Sequence, residues 1–267
     1  MPVGERDAPA DGGGAVKLNV LSLFAGIGGL ELGLERAGMT TVGQVEWDAY
    51  CQSVLAHHWP EVPRHDDVQT APAWWLSQPR PVVDVVCGGF PCQPFSTAGL
   101  RRGTGDERWG WPWMADVIRA VRPRYVLVEN VAELLADSRA FGWLLGDLAE
   151  LGFDAEWSVL RASDFGAPHR RDRLYLVAYP PIGDESDQGA GARQAARWNE
   201  PRGSGLSPNR GPRWLPEPAV DRVAHGLPSR MVRQPLHALG NAVVPAVAEH
   251  VGRLIVEDAA WREVAAA

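Results

Sequence analysis

Short apolar runs alternate with stretches of helical period along most of this chain. Residues 18–24, LNVLSLF, predict a first buried strand. A tight turn, AGIGG, follows at 25–29. Leu30, Leu34 and Ala37 then recur at helical spacing, with Glu31, Glu35 and Arg36 interleaved and Gly38 as a stop. A second strand is predicted at 41–46 and a helix at 48–59, with Asp48 as N-cap. Asp66, Asp67 and Val68 close a third βα unit. Residues 81–87, PVVDVVC, read as a buried strand that Gly88 and Gly89 end. Later come a helix at 114–121, a buried strand at 125–131, a helix at 138–151 with Gly152 at its C-cap, and strands near 155–160 and 173–178. Residues 239–245 open a last helix, with Val247, Val251, Leu254 and Ile255 on one face. Strand, turn and helix in this alternation predict an α/β fold with a doubly wound sheet.

Three stretches break the pattern. Residues 1–15 are mostly Gly, Pro, Ala and Asp and read as a disordered tail. Residues 97–113 are long for a connection, which suggests a functional loop. Residues 179–222 are rich in Gly, Pro, Arg and Trp and lose all periodicity.

Composition narrows the classes. No apolar run reaches the roughly 20 residues a membrane helix needs, and the first residues show no leader. Three cysteines without paired spacing point to a reducing compartment, so a cytoplasmic location is expected. His57, His58 and His65 near Cys51 lack metal-ligand spacing, and no metal is expected. The net charge of -7 argues mildly against a nucleic-acid partner. Yet Lys17 is the only lysine among 26 cationic residues. The arginines gather at 101–102, 170–173 and 193–233, and arginine suits phosphate and base contacts.

Candidate chemistry centres on the loop GGFPCQPFS at 88–96. Cys92 lies near two prolines, 91 and 94, on a stiff loop at the carboxyl end of a buried strand. A lone cysteine is more often a buried structural one. That describes Cys87, inside the apolar run, better than Cys92. Glu46 ends the second strand about 20 residues after the glycine turn, where ribose-binding carboxylates sit. Trp47 beside it suits an adenine face. The plainer readings are a solvated strand end and a core aromatic.

The loop GFPCQPFS resembles the nucleophile loop of the DNA (cytosine-5)-methyltransferases, and further stretches resemble that family in order. Residues 24–29 resemble its S-adenosylmethionine loop, with Phe24, Ala25, Gly26, Gly28 and Gly29. Glu46-Trp47 resembles the ribose and adenine pair, and Asp67-Val68 the adenine-edge pair. Glu129-Asn130-Val131 matches its catalytic triplet. The arginines of HRRDR at 169–173, Arg171 and Arg173, match the spacing of its arginine motif, with His169 where the family has Gln. Residues 239–245, with Asn241 and Val243, resemble the late motif that closes the cofactor pocket. The resemblance implies an S-adenosylmethionine-dependent methyltransferase fold with a small, loop-rich target-recognition segment. It divides the chain into the tail at 1–15, a catalytic domain at 16–178, the recognition segment at 179–236 and a return to the catalytic domain at 237–267.

The implied reaction needs these residue types together. Carbon 5 of cytosine is a poor nucleophile. A Cys92 thiolate adding at carbon 6 makes it a good one. A protonated Glu129 stabilises the charge that builds at ring nitrogen 3, which requires burial to raise its pKa. Arg171 and Arg173, two apart on a strand, would share one face and hold the flipped base. Implied partners are S-adenosylmethionine, double-stranded DNA and a cognate restriction endonuclease, with the enzyme a monomer. The rivals are a relative acting on transfer RNA, a nicotinamide-dependent dehydrogenase, and a DNA-binding protein without activity. The dehydrogenase explains the glycine turn and Glu46 but gives Cys92, Glu129 and Arg171 no joint role.

Overall fold

The computed structural model describes residues 16–91, 109–181 and 229–266. Cys92, the tail at 1–15 and most of the 97–113 and 179–222 stretches lie outside the described residues.

Seven strands form one sheet in the order β3-β2-β1-β4-β5-β7-β6. They are β1 (Asn19–Leu23), β2 (Thr40–Val45), β3 (Arg64–His65), β4 (Val85–Gly88), β5 (Tyr125–Val131), β6 (Asp154–Arg161) and β7 (Asp172–Tyr179). The first five run parallel, and β7 lies antiparallel between β5 and β6. The connections are α1 (Gly29–Arg36), α2 (Ala49–His58), α3 (Ala71–Leu76), α4 (Trp111–Val121) and α5 (Ser138–Glu150). Two helices close the chain, α6 (Ser229–Asn241) and α7 (Pro245–Ala266).

Alternating strand residues send apolar side chains to both faces. Leu21, Leu23, Val86, Val126 and Val128 meet α3, α4 and α5, while Val20, Val85, Cys87 and Leu127 meet α1 and α7. The result is three layers, α/β/α. The strand order reverses between β1 and β4, and in such sheets ligands settle at the carboxyl ends beside that reversal.

Several boundaries differ from the sequence pattern. Strand β4 begins at Val85, not at residue 81. Val82 is 78% exposed, and the Asp84 carboxylate accepts from the Asn19 backbone N–H, so this approach is a bracket and not a ladder. Helix α4 starts at Trp111, with Pro112 in its first turn. Residues 239–245 do not open one helix: α6 ends at Asn241 and α7 begins at Pro245. Glu31, interleaved with apolar residues, is fully buried, because α1 is covered by the sheet and by α7. Gly33 permits that second cover: a Cβ there would lie 2.4 Å from the Ala248 Cβ.

Candidate active site

The first half of the site forms where β1 leaves the sheet. Phe24 takes a positive φ of 52°, and Gly26 and Gly28 follow at 57° and 89°. For Phe24 that conformation is costly, for the glycines it is not. The turn is packed on two sides. A Cβ on Gly28 would strike the Trp59 ring at 2.4 Å, and one on Gly29 would meet the Val243 carbonyl oxygen at 2.4 Å. Gly26 faces open space, with nothing within 4 Å of its would-be Cβ.

Glu46 braces this turn. One carboxylate oxygen accepts from the Gly26 N–H at 2.6 Å and the other from the Asp48 N–H at 2.8 Å. Burial raises its pKa, and those backbone donors partly offset the rise. Two carboxylate oxygens carry about four acceptor positions, so capacity remains for ribose hydroxyls. Trp47 is 81% exposed, which rules out core packing. Asp67 accepts from the Gln69 N–H, and Val68 is half-buried against the core. Asp48 caps α2 through the Cys51 N–H, as its spacing predicts.

The second half lies where β4 and β5 end side by side. Gly88 pairs with Val128, which brings Gly89 alongside Glu129. A Cβ on Gly89 would come within 2.9 Å of Glu129 Oε2. Phe90 is buried among Trp109 and Trp111, and the Asn130 amide donates to the Phe90 carbonyl at 3.1 Å. The Gly110 N–H donates to the Pro91 carbonyl. The residues flanking the 92–108 segment are thus anchored together beside Glu129. Sequence reasoning gave Asn130 no task of its own; its place in the EN dipeptide was the available signal.

Glu129 is 7% exposed, and burial raises its pKa to about 7, with Arg173 and then Arg171 pulling it back down. Its Oε1 lies 3.3 Å from Arg173 Nε but makes no hydrogen bond among the described residues. A buried carboxyl near neutral pKa, ion-paired with Arg173 on one oxygen, can act as a proton or hydrogen-bond donor.

The two arginines do not share a strand face. Arg171 precedes β7, in the left-handed region at φ 36°. Its guanidinium donates to the carbonyls of Gly240 at 2.8 Å and Ala242 at 2.7 Å. Arg173, inside β7, takes the diagonal position beside Glu129. The other cysteines are poor nucleophile candidates. Burial pushes the Cys51 thiol to about 12 and the Cys87 thiol well above its usual range. Asn241 sits at the end of α6, and Val243 lies in the α6–α7 junction with its carbonyl against Gly29. Among the described residues no cluster could hold a metal ion, and no helix is long and apolar enough to cross a membrane.

A seven-stranded sheet with β7 antiparallel between β5 and β6, a glycine turn after β1 and buried carboxyls at the ends of β2 and β5 is consistent with the methyltransferase class of α/β folds. Comparison with known proteins then places the chain. It belongs to the C-5 cytosine-specific DNA methylase family, whose model matches residues 18–189. It is 36% identical over 162 residues to the Type II methyltransferase M.NgoBI of Neisseria gonorrhoeae, covering 60% of this chain and 50% of that protein. It is 36% identical over 171 residues to M.BsuFI of Bacillus subtilis, covering 62% and 40%. Among solved structures it resembles one described as a DNA modification methyltransferase encoded within an E. coli prophage. That match has a TM-score of 0.52 and 27% identity, over 63% of this chain and 49% of that one. The chain spans about half the length of the curated relatives it matches.

Proposed function

We propose that this chain transfers a methyl group from S-adenosylmethionine to carbon 5 of cytosine in double-stranded DNA. The observation that carries the reading is Glu129: buried, near neutral pKa, ion-paired with Arg173, and beside the turn that leads toward Cys92 in sequence. The cofactor, when bound, supplies an electrophilic methyl group. The residues present fit it. Gly26 leaves open space at the turn, Glu46 keeps acceptor capacity for ribose, and Trp47 offers an exposed aromatic face for adenine.

On the substrate side, the Cys92 thiolate forms a bond to ring carbon 6, which moves electron density to carbon 5. Protonated Glu129 holds ring nitrogen 3 while that charge develops, and Arg173 orients the carboxyl. After methylation the carbon-5 proton leaves and the sulfur–carbon bond breaks, which frees Cys92. A base within a duplex is out of reach, so the cytosine is flipped out first. Residues 179–236 serve as the recognition segment of a catalytic domain built from 16–178 and 237–267. A cognate restriction endonuclease fits the Type II naming of the relatives, and a cytoplasmic monomer remains the expectation from the sequence.

The test is covalent trapping. DNA containing 5-fluorocytosine should form a stable adduct, because fluorine cannot leave as the proton does. Mass spectrometry should place it on the peptide holding Cys92, and Cys92→Ser should abolish both adduct and methylation. An adduct on Cys51 or Cys87, or full activity in Cys92→Ser, refutes the mechanism. Methylation of transfer RNA with none of DNA refutes the substrate.

A further inference from the structure

The α6–α7 junction, residues 242–244, is held from three sides. The Val243 carbonyl rests against Gly29, at the start of the glycine turn. Helix α7 is seated on α1 so closely that a Cβ on Gly33 would lie 2.6 Å from the Pro245 carbonyl, and one on Gly252 would lie 2.8 Å from the Ala37 Cβ. The third hold is Arg171, whose two terminal nitrogens grip the carbonyls of Gly240 and Ala242. Arg171 is itself placed with little freedom. It takes a left-handed backbone, and its carbonyl accepts from the Ala162 N–H. Two residues later Arg173 faces Glu129, and the Arg171 charge also acts on that carboxyl.

Resting on the function proposed above, we propose that Arg171 is a positioning residue: its fork ties the junction that backs the cofactor turn to the carboxyl that meets the base. A ligand seated on the turn bears on the junction. Close packing against α1 keeps α7 from yielding, so the load falls on the Arg171 fork. Arg171 and Arg173 stand two residues apart at the start of β7, so the hold on the junction and the cation facing Glu129 share one short stretch of backbone. The plainer role is a helix cap, in which Arg171 closes the carbonyl end of α6 and does nothing more.

The two roles separate experimentally. Calorimetry with S-adenosylmethionine alone gives cofactor affinity. Tritium transfer to sheared DNA from a host lacking cytosine methylation, at saturating cofactor, gives kcat against pH. Arg171→Ala should weaken cofactor binding about tenfold or more, as expected for the loss of two charge-assisted hydrogen bonds. It should also move the alkaline limb of kcat to higher pH, because removing a cation favours the protonated carboxyl. Arg171→Lys keeps the charge and loses the fork, so it should lose affinity several-fold and leave the limb in place. Weaker binding without a limb shift in Arg171→Ala means a cap only and overturns the proposal. A limb shift with parental affinity overturns it too. Should Arg171→Ala melt below assay temperature, parental cofactor affinity in Arg171→Lys overturns it. A parent protein that binds no S-adenosylmethionine removes the underlying function as well.

Discussion

Replacing Glu31 by Gln should stabilise the protein far more at pH 8 than at pH 5.5. Glu31 lies in the first turn of α1, fully buried, and the Ser22 hydroxyl and the Glu31 backbone N–H offer its carboxyl too little to offset burial. Its polar surroundings are the Ser22 hydroxyl and the Cys87 thiol, with the Glu35 and Glu46 carboxylates adding like charge. Burial pushes its pKa from 4.5 to about 7. The folded state therefore keeps a proton that the unfolded chain has released. The stability this group contributes is complete below about pH 4.5 and is lost as pH rises through about 7. The rise corresponds to about 3 kcal/mol between the two protonation states. Most of that is lost by pH 8 and only about 1 kcal/mol by pH 5.5. Gln keeps the shape and cannot ionise, so its advantage over the parent should be about 2 kcal/mol larger at pH 8. Urea unfolding of both proteins at both pH values measures it. Glu129 is also raised, but it is present in both proteins and cancels in the difference, and Glu46, which Glu31 repels, would only be eased by its loss. An equal stability difference at the two pH values would show that the ionised carboxylate finds solvation in the fold, and would refute the reasoning.

Arg173→Ala removes the cation nearest Glu129 among the described residues, so the alkaline limb of methyl transfer should move to higher pH; a pH profile with an unmoved limb contradicts the pairing. Trp47→Ala should leave urea stability within about 0.5 kcal/mol, since the ring is 81% exposed, yet weaken S-adenosylmethionine binding measured by calorimetry. Gly33→Val forces a side chain between α1 and α7 where even a Cβ would lie 2.4 Å from Ala248, so thermal or urea unfolding should show a loss of about 1–3 kcal/mol.

What the sequence could show follows the range of the forces involved. Strand and helix period comes from which face is buried, and that is written locally. It located β5 at its exact bounds and α2 with its Asp48 cap. Boundaries failed where the local pattern had a second cause. Residues 81–84 look apolar, yet Val82 is exposed, Val83 packs into the core from outside the ladder, and Asp84 brackets the sheet before the ladder begins. The start of α4 was hidden because Trp111 and Pro112 read as loop residues, although proline suits a first turn. The burial of Glu31 was not legible for another reason: its second cover, α7, comes more than 200 residues later in the chain.

The site shows the same division more sharply. Motif spacing singled out Glu129, Glu46 and the glycine turn, each of which lies at its own strand end. Arg171 and Arg173 are identical side chains two positions apart, and no local rule separates them. One grips carbonyls 69 and 71 residues away, while the other meets a carboxyl across a strand pair. The separation arises from a single positive φ just before β7, which turns one guanidinium out of the ladder and toward α6. A left-handed non-glycine residue persists only where its surroundings repay the strain. Here two bonds to carbonyls that end a helix do so. The two arginines therefore make different contacts: Arg173 pairs with the buried Glu129, and Arg171 holds the α6–α7 junction behind the glycine turn.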